Sequence, residues 1–78
     1  MRETLNLPKL GDSTEDVLVI SWEAEVGDVL AEGDALMTVE TDKVEADVPT
    51  PVAGTLVARL VEENQEVAVG SPVAVIER

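Results

Sequence analysis

Apolar residues recur along the chain in short runs separated by clusters of Gly, Asp, Ser, Asn and Glu. No stretch holds an apolar stripe at helical spacing. The runs predict eight short strands, over residues 4–7, 17–22, 29–31, 35–40, 44–48, 55–61, 66–69 and 72–76. Between them fall turn compositions such as Gly11-Asp12-Ser13, Val26-Gly27-Asp28, Glu32-Gly33-Asp34 and Val69-Gly70-Ser71, spaced as in a sandwich or barrel. Residues 22–27 carry too little periodicity for a helix and read as a loop joining two strands.

The pattern is duplicated. Residues 29–40 superimpose on residues 66–77 at a constant offset of 37, with Gly33 on Gly70, Glu40 on Glu77 and most apolar positions coinciding. Two halves of about four strands each follow, and neither could bury its apolar face alone. They are expected to pack about an approximate twofold axis as an all-β sandwich or flattened barrel. Glu40 then closes the last strand of the first half and Val44 opens the first strand of the second. Thr41-Asp42-Lys43 becomes a hairpin tip, with the chain ends, its counterpart in the duplication, at the far side.

Composition narrows the possibilities. A chain of 78 residues supports one small domain, residues 1–78, with one thin core. Fourteen valines and a single aromatic residue, Trp22, make that core aliphatic and β-branched, with Trp22 as its largest packing group. A formal charge of −12 argues against nucleic acid and anionic membrane as partners; it fits either steering toward a macromolecule with a basic face or simply a solvated surface. The absence of Cys and His excludes disulfides, a thiolate nucleophile, imidazole base catalysis and the common zinc sites. No stretch has the apolar length of a bilayer span, and the first ten residues lack the hydrophobic region of a signal peptide, so a soluble intracellular chain is expected.

Lysine in a turn is commonplace, but Lys43 stands at the seam of the duplication, where paired strands would fix its base and leave its amine in water. Carboxylates at Glu40, Asp42 and Glu45 favour the charged ammonium, which disfavours Schiff-base catalysis at so exposed a place. Acylation by an external enzyme fits instead. Lys9, the other lysine, lies outside the seam and reads as surface.

These residues also carry a family pattern. Val39-Glu40-Thr41-Asp42-Lys43-Val44, then Asp47-Val48-Pro49-Thr50-Pro51 and Gly54, resembles the attachment motif of lipoyl domains from 2-oxo acid dehydrogenase complexes. Leu7-Pro8-Lys9-Leu10-Gly11-Asp12-Ser13 is similar to the first strand and loop of those domains in dihydrolipoamide acyltransferase subunits, and Trp22 with Val26-Gly27-Asp28 falls where they often have tryptophan and Gly-Asp. Biotinyl carrier domains share the fold and typically set their lysine between two methionines, where this chain has Asp42 and Val44. The chain departs from the lipoyl pattern at Asn64-Gln65, in place of Gly-Asp, and at Asp16-Val17, in place of Glu-Gly.

The resemblance implies a barrel-sandwich hybrid of two four-stranded antiparallel sheets. It implies lipoic acid amide-linked to Lys43, as a tether on the order of 10–15 Å. The domain would be a non-catalytic, monomeric swinging-arm carrier. Its implied partners are a thiamine diphosphate-dependent 2-oxo acid decarboxylase, the acyltransferase, dihydrolipoyl dehydrogenase and a lipoate ligase or lipoyl transferase. Glu40, Thr41, Asp42, Val44 and Glu45 at the tip, and the loop Gly11, Asp12 and Ser13, are the implied recognition residues. Solvation of the tip and a plain Gly-Asp-Ser turn explain the same residues without function. Gly33, Gly70 and Gly54 read as turn residues, with Gly54 reversing the chain after Pro51. The expected setting is a bacterial cytoplasm, or the mitochondrial matrix for a piece excised from a eukaryotic precursor, and the length fits excision from a longer subunit. A biotinyl carrier and an unmodified acidic β module that binds a protein stand as alternatives.

Overall fold

The computed structural model of the chain describes residues 1–8, 16–41 and 44–78. All regular structure among them is extended: β1 Arg2–Asn6, β2 Asp16–Trp22, β3 Val29–Leu30, β4 Ala35–Glu40, β5 Glu45–Pro49, β6 Gly54–Arg59, β7 Glu66–Ala68 and β8 Pro72–Glu77. Eight strands appear where eight apolar runs stand in the sequence. No boundary moves by more than two residues, and the segment at 29–31 shortens to two residues of ladder. Residues 23–28 form bends and turns with no helix.

The strands make two antiparallel four-stranded sheets, ordered β1-β8-β6-β3 and β5-β4-β2-β7. They share no ladder, so among the described residues the molecule is a sandwich and not a closed barrel. The two halves do not each form a sheet. Each sheet draws two strands from either half, with β1 on β8, β3 on β6, β5 on β4 and β2 on β7 joining the copies.

A twofold operation carrying β1, β2, β3 and β4 onto β5, β6, β7 and β8 converts one strand order into the other. It holds residue by residue. Val19↔Val39 and Trp22↔Met37 in one sheet become Leu56↔Ile76 and Arg59↔Ala74 in the other. The irregularity between Val19 and Ser21 recurs between Leu56 and Ala58. Turns obey it too: Gly33 N–H donates to Thr50 O over 2.8 Å as Gly70 N–H donates to Leu7 O over 2.9 Å. Gly33 and Gly70 take φ of 93° and 92°, a left-handed conformation that glycine adopts without steric cost.

Alternation, shifted by one residue at the ladder irregularities in β4 and β8, sends Val17, Val19, Leu36, Val39, Val48, Leu56, Val67, Val73 and Ile76 between the sheets, where all are buried. Burying side chains of this size contributes about 1.5–3 kcal/mol each. Pro49 is tolerated because β5 is an edge strand. Thr50, the one buried polar side chain among the described residues, is satisfied by donating to Val52 O over 2.7 Å.

Gly54 has a different role from the chain reversal read in the sequence. Its φ is not positive; a Cβ there would collide with Ile76 Cγ2 and the carbonyl of Glu77, because β8 passes tightly against it. Trp22 also departs from a plain core role. It is half-buried against the core, its indole N–H donates to Val61 O over 3.0 Å, and the Arg59 guanidinium lies 5.6 Å from its ring centroid. Trp22 and Arg59 are twofold mates, so the axis passes between them.

Candidate attachment hairpin

The seam of the duplication is a hairpin. β4 and β5 pair from Ala35↔Pro49 to Glu40↔Glu45, and beyond that last pair Thr41 N–H donates to Val44 O over 2.8 Å. Two residues remain between Thr41 and Val44. These are Asp42 and Lys43, which lie outside the described residues, as do Lys9, Gly11, Asp12 and Ser13. Glu45, and not Val44, opens the second strand; Val44 belongs to the turn, with 61% of its surface exposed.

The base of this hairpin is rigidly held. Val39 and Val48 plug into the core from its two strands, at 0% and 1% exposure. On its outer face Thr38 Oγ1 lies 2.9 Å from Glu23 Oε2 and 3.1 Å from Asp47 Oδ1, and Ser21 Oγ donates to the same Glu23 oxygen over 2.8 Å. These contacts tie β2, β4 and β5 together. Asp47, part of the sequence motif, competes with Glu23 for the single proton of Thr38 Oγ1. Thr38 and Glu23 were missed because only the cross-strand register brings them beside it.

Glu40 and Glu45 stand exposed beside each other at the neck. The three ion pairs among the described residues all lie at the chain ends, on Met1, Arg2, Glu3, Glu77 and Arg78, so neither glutamate is neutralised by a described cation. The hairpin has a firmly anchored base and an exposed, acidic neck. The described residues hold no cluster of three metal-ligating side chains. No helix among the described residues is long and apolar enough to cross a membrane. Of the residues singled out in the sequence, Glu40, Thr41, Val44 and Glu45 come together at this turn.

The departure at Asn64-Gln65 preserves the local structure. Asn64 takes φ 68° where its mate Gly27 has 100°, and Gln65 Oε1 accepts from Glu62 N–H over 2.9 Å as Asp28 Oδ2 accepts from Glu25 N–H over 2.9 Å.

Residues 3–76 match the profile of the biotin and lipoyl family described as "Biotin-requiring enzyme". The chain belongs to this attachment-domain family. It is 40% identical over 68 residues to the dihydrolipoyllysine-residue acetyltransferase component of the pyruvate dehydrogenase complex of Acholeplasma laidlawii, covering 87% of this chain and 12% of that protein. It is 34% identical over 77 residues to the dihydrolipoyllysine-residue succinyltransferase component of the 2-oxoglutarate dehydrogenase complex of Bartonella vinsonii, covering 99% of this chain and 19% of that protein. The chain thus spans less than a fifth of these relatives' lengths. The fold is similar to that of the lipoyl domain of the 2-oxoglutarate dehydrogenase complex of Azotobacter vinelandii, with a TM-score of 0.74, 21% identity and coverage of 96% and 95% of the two chains. It is also similar to part of the urea carboxylase of Kluyveromyces lactis, with a TM-score of 0.64, 27% identity and coverage of 94% of this chain and 7% of that one. Within the family, the sequence relatives put the chain with the lipoyl domains of acyltransferase components.

Proposed function

We propose that the domain is a lipoyl carrier of a 2-oxo acid dehydrogenase complex, with lipoic acid amide-linked to Nζ of Lys43. The observation that supports it most is the closure of the hairpin: the register leaves two residues at the turn, and one of them is the lysine of the lipoyl motif. When bound, the group would supply a dithiolane that takes up acyl groups and electrons. The chain's own residues anchor and present it. Val39 and Val48 fix the hairpin in the core, Thr38 braces its outer face through Glu23 or Asp47, and the exposed residues flanking the lysine, Glu40, Val44 and Glu45, leave an arm room to move. In such a role the protein contributes position and high local concentration, and the cofactor carries the bond chemistry.

The partners implied are a thiamine diphosphate-dependent decarboxylase, the acyltransferase, dihydrolipoyl dehydrogenase and a lipoate-attaching enzyme, with Glu40, Asp42 and Glu45 as polar contacts for them. Neighbouring Asp42 and Val44 favour lipoate over biotin, as do the acyltransferase relatives. The experiment is a competition. The domain is offered lipoate ligase with lipoate and biotin ligase with biotin, and intact mass is followed. One lipoyl increment is expected, lost in Lys43→Arg; uptake of biotin alone would replace this reading with a biotinyl carrier, and no uptake of either would leave an unmodified acidic module.

A further inference from the structure

The turn after β4 is closed by a side chain as well as by the backbone. Thr41 Oγ1 donates to Val44 O over 2.9 Å and accepts from Val44 N–H over 3.1 Å, while Thr41 N–H donates to the same carbonyl over 2.8 Å. A hydroxyl is at once donor and acceptor, and here it both donates to and accepts from the peptide groups of one residue. Valine, of the same shape, could do neither.

The duplication supplies a built-in comparison. At the twofold-related position Arg78 N–H donates to Met1 O over 2.8 Å, the same backbone closure as Thr41 to Val44. There the side chain of residue 78 turns away, its Nη1 donating to Glu3 over 2.9 Å. Backbone closure is therefore common to both copies of the fold, and the hydroxyl clamp is present only in the copy that carries the lysine. Nor does the clamp assist burial, since Val44 stays largely in water.

We propose that Thr41 is a positioning residue for acylation of Lys43, and this rests on the carrier reading above. By gripping Val44 from both sides, its hydroxyl fixes the two ends of a two-residue span. The attaching enzyme then meets a turn whose conformational entropy is already reduced. Without the clamp the competent conformation becomes a minor fraction, and the apparent affinity of the enzyme for the domain falls by that fraction.

The test compares wild type, Thr41→Val and Thr41→Ser as substrates of a lipoate ligase, with initial rates measured against domain concentration. Amide exchange at Val44 and the urea midpoint are measured on the same samples. Thr41→Val is expected to raise KM for the domain about tenfold with kcat within twofold, as a lost pre-formed population requires. Val44 exchange should quicken and the urea midpoint should move little. Thr41→Ser, which keeps the hydroxyl, should restore KM to near the wild-type value. A Thr41→Val domain with quickened Val44 exchange but wild-type KM would overturn the positioning role, and so would a serine variant as impaired as the valine one. Wild type left unmodified at Lys43 would instead overturn the carrier reading, and the clamp with it.

Discussion

Asn64 and Gly27 occupy the same place in the two copies of the fold, both with positive φ, at 68° and 100°. Each donates its N–H over 2.7 Å to the strand opposite, Asn64 to Val19 O and Gly27 to Leu56 O. The left-handed conformation is thus a property of the duplicated turn, filled once by glycine and once by asparagine, the non-glycine residue that tolerates it best.

Asn64→Gly is accordingly expected to change stability by less than about 0.5 kcal/mol, whereas Asn64→Val should cost about 1–2 kcal/mol. Urea denaturation of the two variants checks this. Equal stabilities would show that the turn relaxes out of the left-handed region.

Gly54→Ala should be among the most damaging single changes. The methyl group would meet Ile76 and the backbone of Glu77, which belong to a strand paired on both sides. Overpacking of this kind costs about 1–3 kcal/mol, and backbone has less freedom to yield than a side-chain end. A thermal midpoint unchanged in Gly54→Ala would mean that β8 can shift without loss.

Trp22 links the copies across the axis through Val61 O and Arg59. Trp22→Phe should cost about 1 kcal/mol, for the lost indole hydrogen bond. Arg59→Gln should cost about 0.5 kcal/mol, as expected for an exposed cation–π contact, and should alter the emission of the lone tryptophan. Unaltered emission in Arg59→Gln would show that the guanidinium does not rest on the ring.

The brace of the hairpin contains an unmet demand. Thr38 Oγ1 has one proton and lies within hydrogen-bond reach of two carboxylates, Glu23 and Asp47. In Asp47→Asn the amide can donate to Thr38 while Thr38 donates to Glu23, so stability should hold or rise by about 0.5 kcal/mol. Thr38→Val should fall by about 1 kcal/mol, because the one hydrogen bond the hydroxyl donates to these carboxylates is lost. A loss in Asp47→Asn as large as that in Thr38→Val would contradict this division of roles.

Much of this was legible in the chain. The offset of 37 residues carries over into ladder registers and turn contacts, and the position of Thr41-Asp42-Lys43 at a seam becomes the closure from Thr41 to Val44. What could not be read is pairing. Alternation shows which face of a strand is buried but not which strand lies beside it, so the interleaving of the halves emerges only from the sheets. For the same reason Gly54 reads as a turn residue until β8 is seen pressed against it, and Thr38 and Glu23 look like scattered surface residues until the register unites them. The loop at Gly11, Asp12 and Ser13 lies outside the described residues, and its recognition role stays a proposal.

Attachment at a single lysine is most directly tested by mapping the modified peptide after treatment with lipoate ligase. The chain has two lysines, Lys9 and Lys43, so the fragment spectrum has a clear choice to report. The whole lipoyl increment is expected on Lys43, with Lys9 unmodified; an increment on Lys9, or one shared between the two, would contradict the hairpin as the presenting element.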